Sequence, residues 1–169
     1  MAIFTRRSWL DSGVDNPSRI VGWREWVGLP GLGVDWLKAK IDTGAQTSSL
    51  HAFGTEVFVR DGASWVRFEI HPLQRSARDA VWAELPVHDR RTVRSSNGQT
   101  QDRYVVLMEV RLLDRVITAE VTLTRRDAMG YRMLIGREAL AQGFMVDSAS
   151  SYLGGKPRRR IRARHAEVD

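Results

Sequence analysis

The feature that most restricts the fold of this chain is a period of two. Tyr104, Val106, Met108, Val110 and Leu112 share one face of an extended run, and Ile117, Ala119, Val121 and Leu123 share one face of the run that returns. Strand side chains alternate between faces, so this pattern lays two neighbouring strands on a common core and is incompatible with a helix there. The same period recurs upstream. "DWLKAKID" sets Leu37, Ala39 and Ile41 against Lys38 and Lys40, after a Pro30-Gly31 turn and a β-prone run that carries Trp23 and Trp26. "EVFVRDGASWVRFEIH", residues 56–71, places two β-branched and aromatic runs around Asp61-Gly62, a hairpin signal. Residues 81–88 supply a further short strand, and "FMVDSASSYL" a last one. Only "GREALAQG" reads as a helix, closed by Gly143 as its C-terminal cap. Short strands with regular turns and one late helix predict an all-β fold, a small closed or sandwiched domain.

A length of 169 residues suits one domain, and 43% hydrophobic with 27% charged residues is an ordinary globular balance. The division expected is an N-terminal arm over residues 1–18, a domain over 19–153 and a basic tail over 154–169. No run approaches the roughly 18 consecutive apolar residues of a membrane span. The N-terminal "MAIFTRRSWLDSG" lacks the apolar centre of a secretory signal, so a cytoplasmic protein with no membrane partner is expected. The absence of cysteine removes disulfides, a thiol nucleophile and cysteine-ligated zinc together. His51, His71, His88 and His165 form no HExxH pattern and there is no GxxxxGK[ST] loop, so no metal and no cofactor are expected.

Formal net charge is +6, part of it in the tail "KPRRRIRARHAEVD". Such a tail is expected to be a solvated segment, with nucleic-acid or ribosome contact as the alternative. A second basic cluster is Arg90, Arg91, Arg94 and Arg103 in "RRTVRSSNGQTQDRYVV". The Asn97-Gly98 turn there has polar flanks on both faces, so this hairpin packs on no core and is expected to project into solvent.

One carboxylate stands where chemistry is expected. An isolated Asp-Thr-Gly after a strand is a turn, with the Asp side chain bonded to backbone two residues on. Here "AKIDTGAQTSSLHA" is followed by the polar hairpin and, about ninety residues after Asp42, by "YRMLIGREALAQGF". In motif, order and spacing, residues 20–145 resemble the retroviral-type aspartic peptidases. More closely, "RIVGWREWVGLP", "AKIDTGAQTSSLHA" and "VRSSNGQTQDRYVV" resemble the bacterial retropepsin-like, RimB-type proteins often labelled ATP-dependent zinc proteases, some of which accompany ATP-grasp glutamate ligases.

The resemblance implies a small closed β-barrel and specific roles. Asp42 matches the catalytic aspartate, Thr43 the residue that bonds across a dimer axis, and Gly44 the small residue beside which substrate backbone passes. Leu134, Ile135 and Gly136 match the segment packed behind that loop. Arg137 matches an arginine that braces the loop against an aspartate, but Gln46 occupies the aspartate's place. Residues 92–104 take the place of the flap, with Ser95, Ser96, Asn97 and Gly98 at its tip. Hydrolysis by carboxylates needs two of them sharing a proton. A single Asp-Thr-Gly therefore calls for a homodimer, as the resemblance also implies.

Loss of a carboxylate at Gln46, with Arg90, Arg91, Arg94 and Arg103 on or beside the flap and Lys38 and Lys40 before the motif, would make the cleft positive and favour an acidic peptide. The same cations also suit exposed strand faces that only need solubility. The link with glutamate ligases points to oligo-glutamate tails, such as those on a ribosomal protein. A peptide-, ribosome- or nucleic-acid-binding module without catalysis is the alternative. It would leave Asp42 without a task.

Overall fold

The computed structural model describes residues 18–73, 77–94, 98–125 and 130–166. Strands β1 (Arg19–Gly22), β2 (Arg24–Leu29) and β3 (Val34–Asp42) open the chain, with a single 3-10 turn at Pro30–Leu32 between the last two. Then come β4 (Ser48–His51), β5 (Phe53–Arg60), β6 (Ala63–Ile70), β7 (Val81–Pro86), β8 (Asp89–Arg94), β9 (Thr100–Leu112) and β10 (Arg115–Thr124). The chain continues through β11 (Met133–Gly136), helix α1 (Arg137–Leu140), β12 (Phe144–Asp147) and helix α2 (Arg159–Ala166).

The expected all-β fold is present, and its main sheet closes on itself. Going round the ring, β9 pairs with β10, β10 with β4, β4 with β11, β11 with β3, β3 with β2, and β2 again with β9. Closure leaves the ring no free edge, which removes the hazard of unpaired strand groups. The period-two residues fill its interior. Leu37 and Ala39 of β3, Val106 and Val110 of β9, and Val121 of β10 have essentially no exposed surface. Each such side chain contributes about 1.5–3 kcal/mol by leaving water.

β9 is long because it serves two structures. From Leu112 back to Val105 it pairs with β10 inside the ring; from Val105 back to Thr100 it pairs with β8. The β8–β9 hairpin therefore extends beyond the barrel, with β8 alternating between half-buried and exposed positions and Thr100, Gln101 and Asp102 of β9 all exposed. β5, β6 and β7 form a separate antiparallel sheet, whose Val66, Phe68 and Ile70 are buried against the common core. The Asp61-Gly62 turn joins β5 and β6 with both residues left-handed, at φ 50° and 76°, as a two-residue hairpin turn needs.

The C-terminal segment departs from the solvated tail expected of its composition. It packs on β2. Glu25, fully buried, accepts hydrogen bonds from the backbone N–H groups of Gly22 at 2.7 Å, Leu153 at 2.9 Å and Gly154 at 3.2 Å. Farther along, the buried His165 of α2 stands edge-on to Trp26, ring centroids 4.8 Å apart. No helix among the described residues is long and apolar enough to cross a membrane.

Candidate active site

Asp42 is the last residue of β3, and the chain turns sharply after it. Its Oδ1 accepts the N–H of Gly44 at 3.0 Å and that of Ala45 at 3.3 Å, so the carboxylate itself organises the turn. Among the described residues, Oδ2 has no partner. A Cβ on Gly44 would stand 3.2 Å from Oδ1, tighter than side chains normally tolerate. Asp42 is half-buried, while Thr43 and Gly44 are exposed. The loop thus carries a carboxylate oxygen without a partner among the described residues, next to an exposed threonine.

What holds this loop comes from the other end of the sequence. β11 runs parallel to β3 with Gly136 in register with Asp42, which places Leu134 and Ile135 behind the loop, buried. A Cβ at Gly136 would come within 2.5 Å of the Thr47 backbone, so the two segments cross at a point that only glycine permits. Helix α1 begins there without a side-chain cap. Its first N–H groups need acceptors from elsewhere, and the loop supplies them. Arg137 N–H donates to the Ala45 carbonyl at 2.9 Å, Glu138 N–H to the Gln46 carbonyl at 3.1 Å, and Gly136 N–H to Ser48 Oγ at 3.1 Å.

Side chains complete the clamp in an unexpected pairing. Gln46 Nε2 donates to Glu138 Oε1 at 2.8 Å, while the Arg137 guanidinium only reaches the Gly44 carbonyl at 3.4 Å. Where Gln46 removes a carboxylate from the loop, Glu138 supplies one from the helix. Sequence reasoning passed over Glu138 because its partner lies 92 residues away and leaves no local pattern.

Between the loop and the β8–β9 hairpin lies a cavity of about 670 Å³. Ala45, Gln46 and Thr47 line one side, Arg91, Val93 and Arg94 the other. Arg103, Glu120, Leu134 and Glu138 also contribute to its walls; Asp42 lies outside them.

The four flap arginines do not act alike. Arg91 contacts Asp89 and Glu120, each at 2.6 Å, and Glu120 is also 3.3 Å from His88. The Arg91 guanidinium holds Glu120 below the usual carboxylate range, and it does the same to Asp89 with help from the Arg90 N–H. Arg90 pairs with Asp102 at 2.8 Å and does not line the cavity. Arg103 is buried, its Nε 3.3 Å from Gln101 Oε1. Arg94 is exposed, lines the cavity, and among the described residues makes no ion pair. Gly98 is exposed beyond it, whereas Ser95, Ser96 and Asn97 lie outside the described residues. Lys38 and Lys40 are on β3 away from the cavity, with Lys38 Nζ 5.6 Å from the Trp26 ring. Among the described residues, no three His, Asp or Glu side chains gather as a metal site would require.

Known proteins resemble this chain. Residues 20–157 match the family described as retropepsin-like aspartic endopeptidase RimB. A probable alpha-L-glutamate ligase of Parasynechococcus marenigrum is 47% identical over 150 residues, which are 88% of this chain and 32% of that protein. A protein of the same name from Shewanella pealeana is 45% identical over 137 residues, 81% of this chain and 30% of that one. The chain thus spans about a third of the length of these curated relatives. A crystal structure of a Legionella pneumophila protein of unknown function superimposes with a TM-score of 0.69 at 28% identity, covering 80% of this chain and 98% of that one. With the closed barrel, the Asp-Thr-Gly loop and the glycine crossing all inside the matched residues, the chain belongs to the RimB-like family of retropepsin-like aspartic endopeptidases.

Proposed function

We propose that the protein is a homodimeric aspartic endopeptidase that cleaves acidic peptides, oligo-glutamate segments above all. The observation that carries this reading is the carboxylate of Asp42, pinned through Oδ1 by two backbone amides while Oδ2 has no partner among the described residues. One such group cannot both activate water and protonate a carbonyl. Two brought together across a two-fold axis can, because closely placed carboxylates share a single proton and separate their pKa values. In the proposed dimer, one Asp42 takes a proton from the attacking water while the Asp42 of the second copy donates to the carbonyl oxygen. The resulting tetrahedral species collapses with protonation of the leaving amine. Thr43, exposed beside it, bonds across the axis, and the β8–β9 hairpin closes over the peptide.

The acidic substrate is supported by Arg94, which faces the cavity with no acid of its own. Arg91 and Arg103 also line that wall, but Arg91 is already matched by Asp89 and Glu120. An arginine fork suits a carboxylate side chain, and a partly enclosed cavity strengthens the attraction. The relatives named probable glutamate ligases lend the choice of glutamate further support. A ribosomal protein bearing such a tail is a fitting macromolecular substrate, and the cytoplasm a fitting place.

The test is incubation of the purified chain with oligo-glutamate and with a neutral peptide library, the products read by mass. Cleavage confined to acidic peptides and lost in Asp42→Asn is the expected result. Binding of oligo-glutamate without any cleavage, in wild type and variant alike, would replace the peptidase with a peptide-binding module.

A further inference from the structure

Several cations of the described residues are matched by acids. Arg19 pairs with Asp114, Arg60 and Arg67 share Glu84, and Arg90 and Arg91 are paired as above. Helix α2 and the residues just before it gather cations that are not. From Ser148 to Ala166 the sequence has no acidic residue, yet it carries Lys156 and a run of arginines; Glu167 and Asp169 follow. Arg158, Arg159, Arg160 and Arg162 are exposed, and among the described residues none of the four makes an ion pair.

Like charges so close together repel along a short helix, so tertiary packing has to hold it. Pro157 and His165 are buried. Ile161, one turn before His165, lines a hollow of about 250 Å³ with Trp36, Leu73 and Val81. Asp35 and Asp79 line the same hollow. Docking through Ile161 and His165 leaves the arginines facing solvent. Beside the helix, further cations sit on aromatic rings. Lys156 is 5.4 Å from Tyr152, and Arg24 is 4.5 Å from Trp23 and 4.9 Å from Tyr152. Tyr152 in turn packs 6.0 Å from Trp26, the ring that His165 meets.

We infer that this face is a second binding site, for single-stranded RNA. Arginines without acids suit phosphates, and aromatic rings beside them suit unstacked bases. With eight residues, about two turns, α2 offers little length to a major groove, which disfavours duplex DNA. Its outward side offers no bulky apolar residue to a lipid surface. The hollow under α2 is set apart from the Asp-Thr-Gly loop. Trp36 and Asp42 are near opposite ends of β3, about 20 Å apart along an extended strand. Moreover, α2 lies beyond the residues 20–157 that match the family.

The experiment titrates the full chain against a labelled oligouridine of roughly 20 nucleotides, longer than one site of this kind, and follows anisotropy over a salt series. Salt-sensitive binding is expected. The combined Arg159→Glu, Arg160→Glu and Arg162→Glu variant should bind at least about tenfold more weakly, with the log–log salt slope flatter by about 0.7 per arginine. Changing the same three residues to Lys should keep the salt-dependent binding. Asp42→Asn should bind RNA like wild type, so this result stands apart from the peptidase question. Should the triple reversal disturb folding by circular dichroism, Arg160→Glu alone carries the prediction with a third of the slope change. RNA affinity indifferent to these reversals would overturn the inference. So would displacement of RNA by oligo-glutamate at equal charge, or preferential binding to phosphatidylserine vesicles, since each assigns the face to a different partner.

Discussion

Gln46 and Glu138, separated by 92 residues in sequence, are joined by a 2.8 Å hydrogen bond that ties the Asp-Thr-Gly loop to helix α1. The neutral partner is on the loop and the charged one on the helix. Gln46→Asp would set two carboxylates against each other and should lower stability by about 1 kcal/mol or more, since a bond to a charged group is lost and repulsion added. Adding Glu138→Gln should restore most of it. Chemical denaturation of the two variants checks this; a double variant no better than the single would contradict the pairing.

Asp42→Asn should leave the fold unchanged and lower hydrolysis by about 10²–10⁴-fold, the usual worth of positioned acid–base groups. Excess Asp42→Asn chain mixed with wild type, under conditions of subunit exchange, should suppress activity, because mixed dimers have half a dyad. Activity proportional to wild-type chain alone would argue for a competent monomer.

Arg94→Glu should raise KM for an acidic peptide by about tenfold or more, as expected when a partly desolvated charge pair is broken, with little effect on a neutral peptide. Arg90→Glu should change neither, because Arg90 faces Asp102 away from the cavity. Equal effects of the two substitutions would reduce the cavity arginines to solubility.

Acid should loosen the hairpin only late. Asp89 and Glu120 are held below the ordinary carboxylate range chiefly by Arg91, and Asp102 by the Thr92 hydroxyl and then Arg90. A carboxylate with a lowered folded pKa adds stability above its unfolded pKa and loses it as pH falls through the folded value. Amide protection in β8, corrected for the intrinsic pH dependence of exchange, should therefore stay constant from neutral pH down to about 5 and fall only below about 4, the ordinary carboxylate value. Protection lost well above that range would contradict the assignment.

Glu25→Ala should strip acceptors from the amides of Gly22, Leu153 and Gly154. The cost is about 3 kcal/mol or more, a fall of roughly 10 °C in Tm for a domain of this size. The C-terminal segment should become protease-sensitive in the same variant.

Local patterns were legible and distant pairings were not. Alternation marked β3, β9 and β10, and Asp61-Gly62 marked its turn, because both depend on neighbours in sequence. Closure of the ring depends on parallel pairings of β4 with β10 and of β11 with β3, and no local period encodes which strands meet. The catalytic candidate and its supporting glycine were readable as motifs. The division among the arginines was only half readable: Asp89 and Asp102 stand beside them in sequence, but Glu120 reaches Arg91 from another strand. Composition hid α2, although Ile161 and His165 at a four-residue spacing were a signal of a docked face.

The continuity of β9 governs where this molecule can vary in length. One residue inserted between Val106 and Leu112 would turn the barrel half of the strand inside out and carry the hairpin round with it, a double fault. Residues added between Arg94 and Thr100 would lengthen the arm without disturbing either register. Differences in reach between members of this family should therefore collect at that tip, and the strand beneath it should keep a constant count.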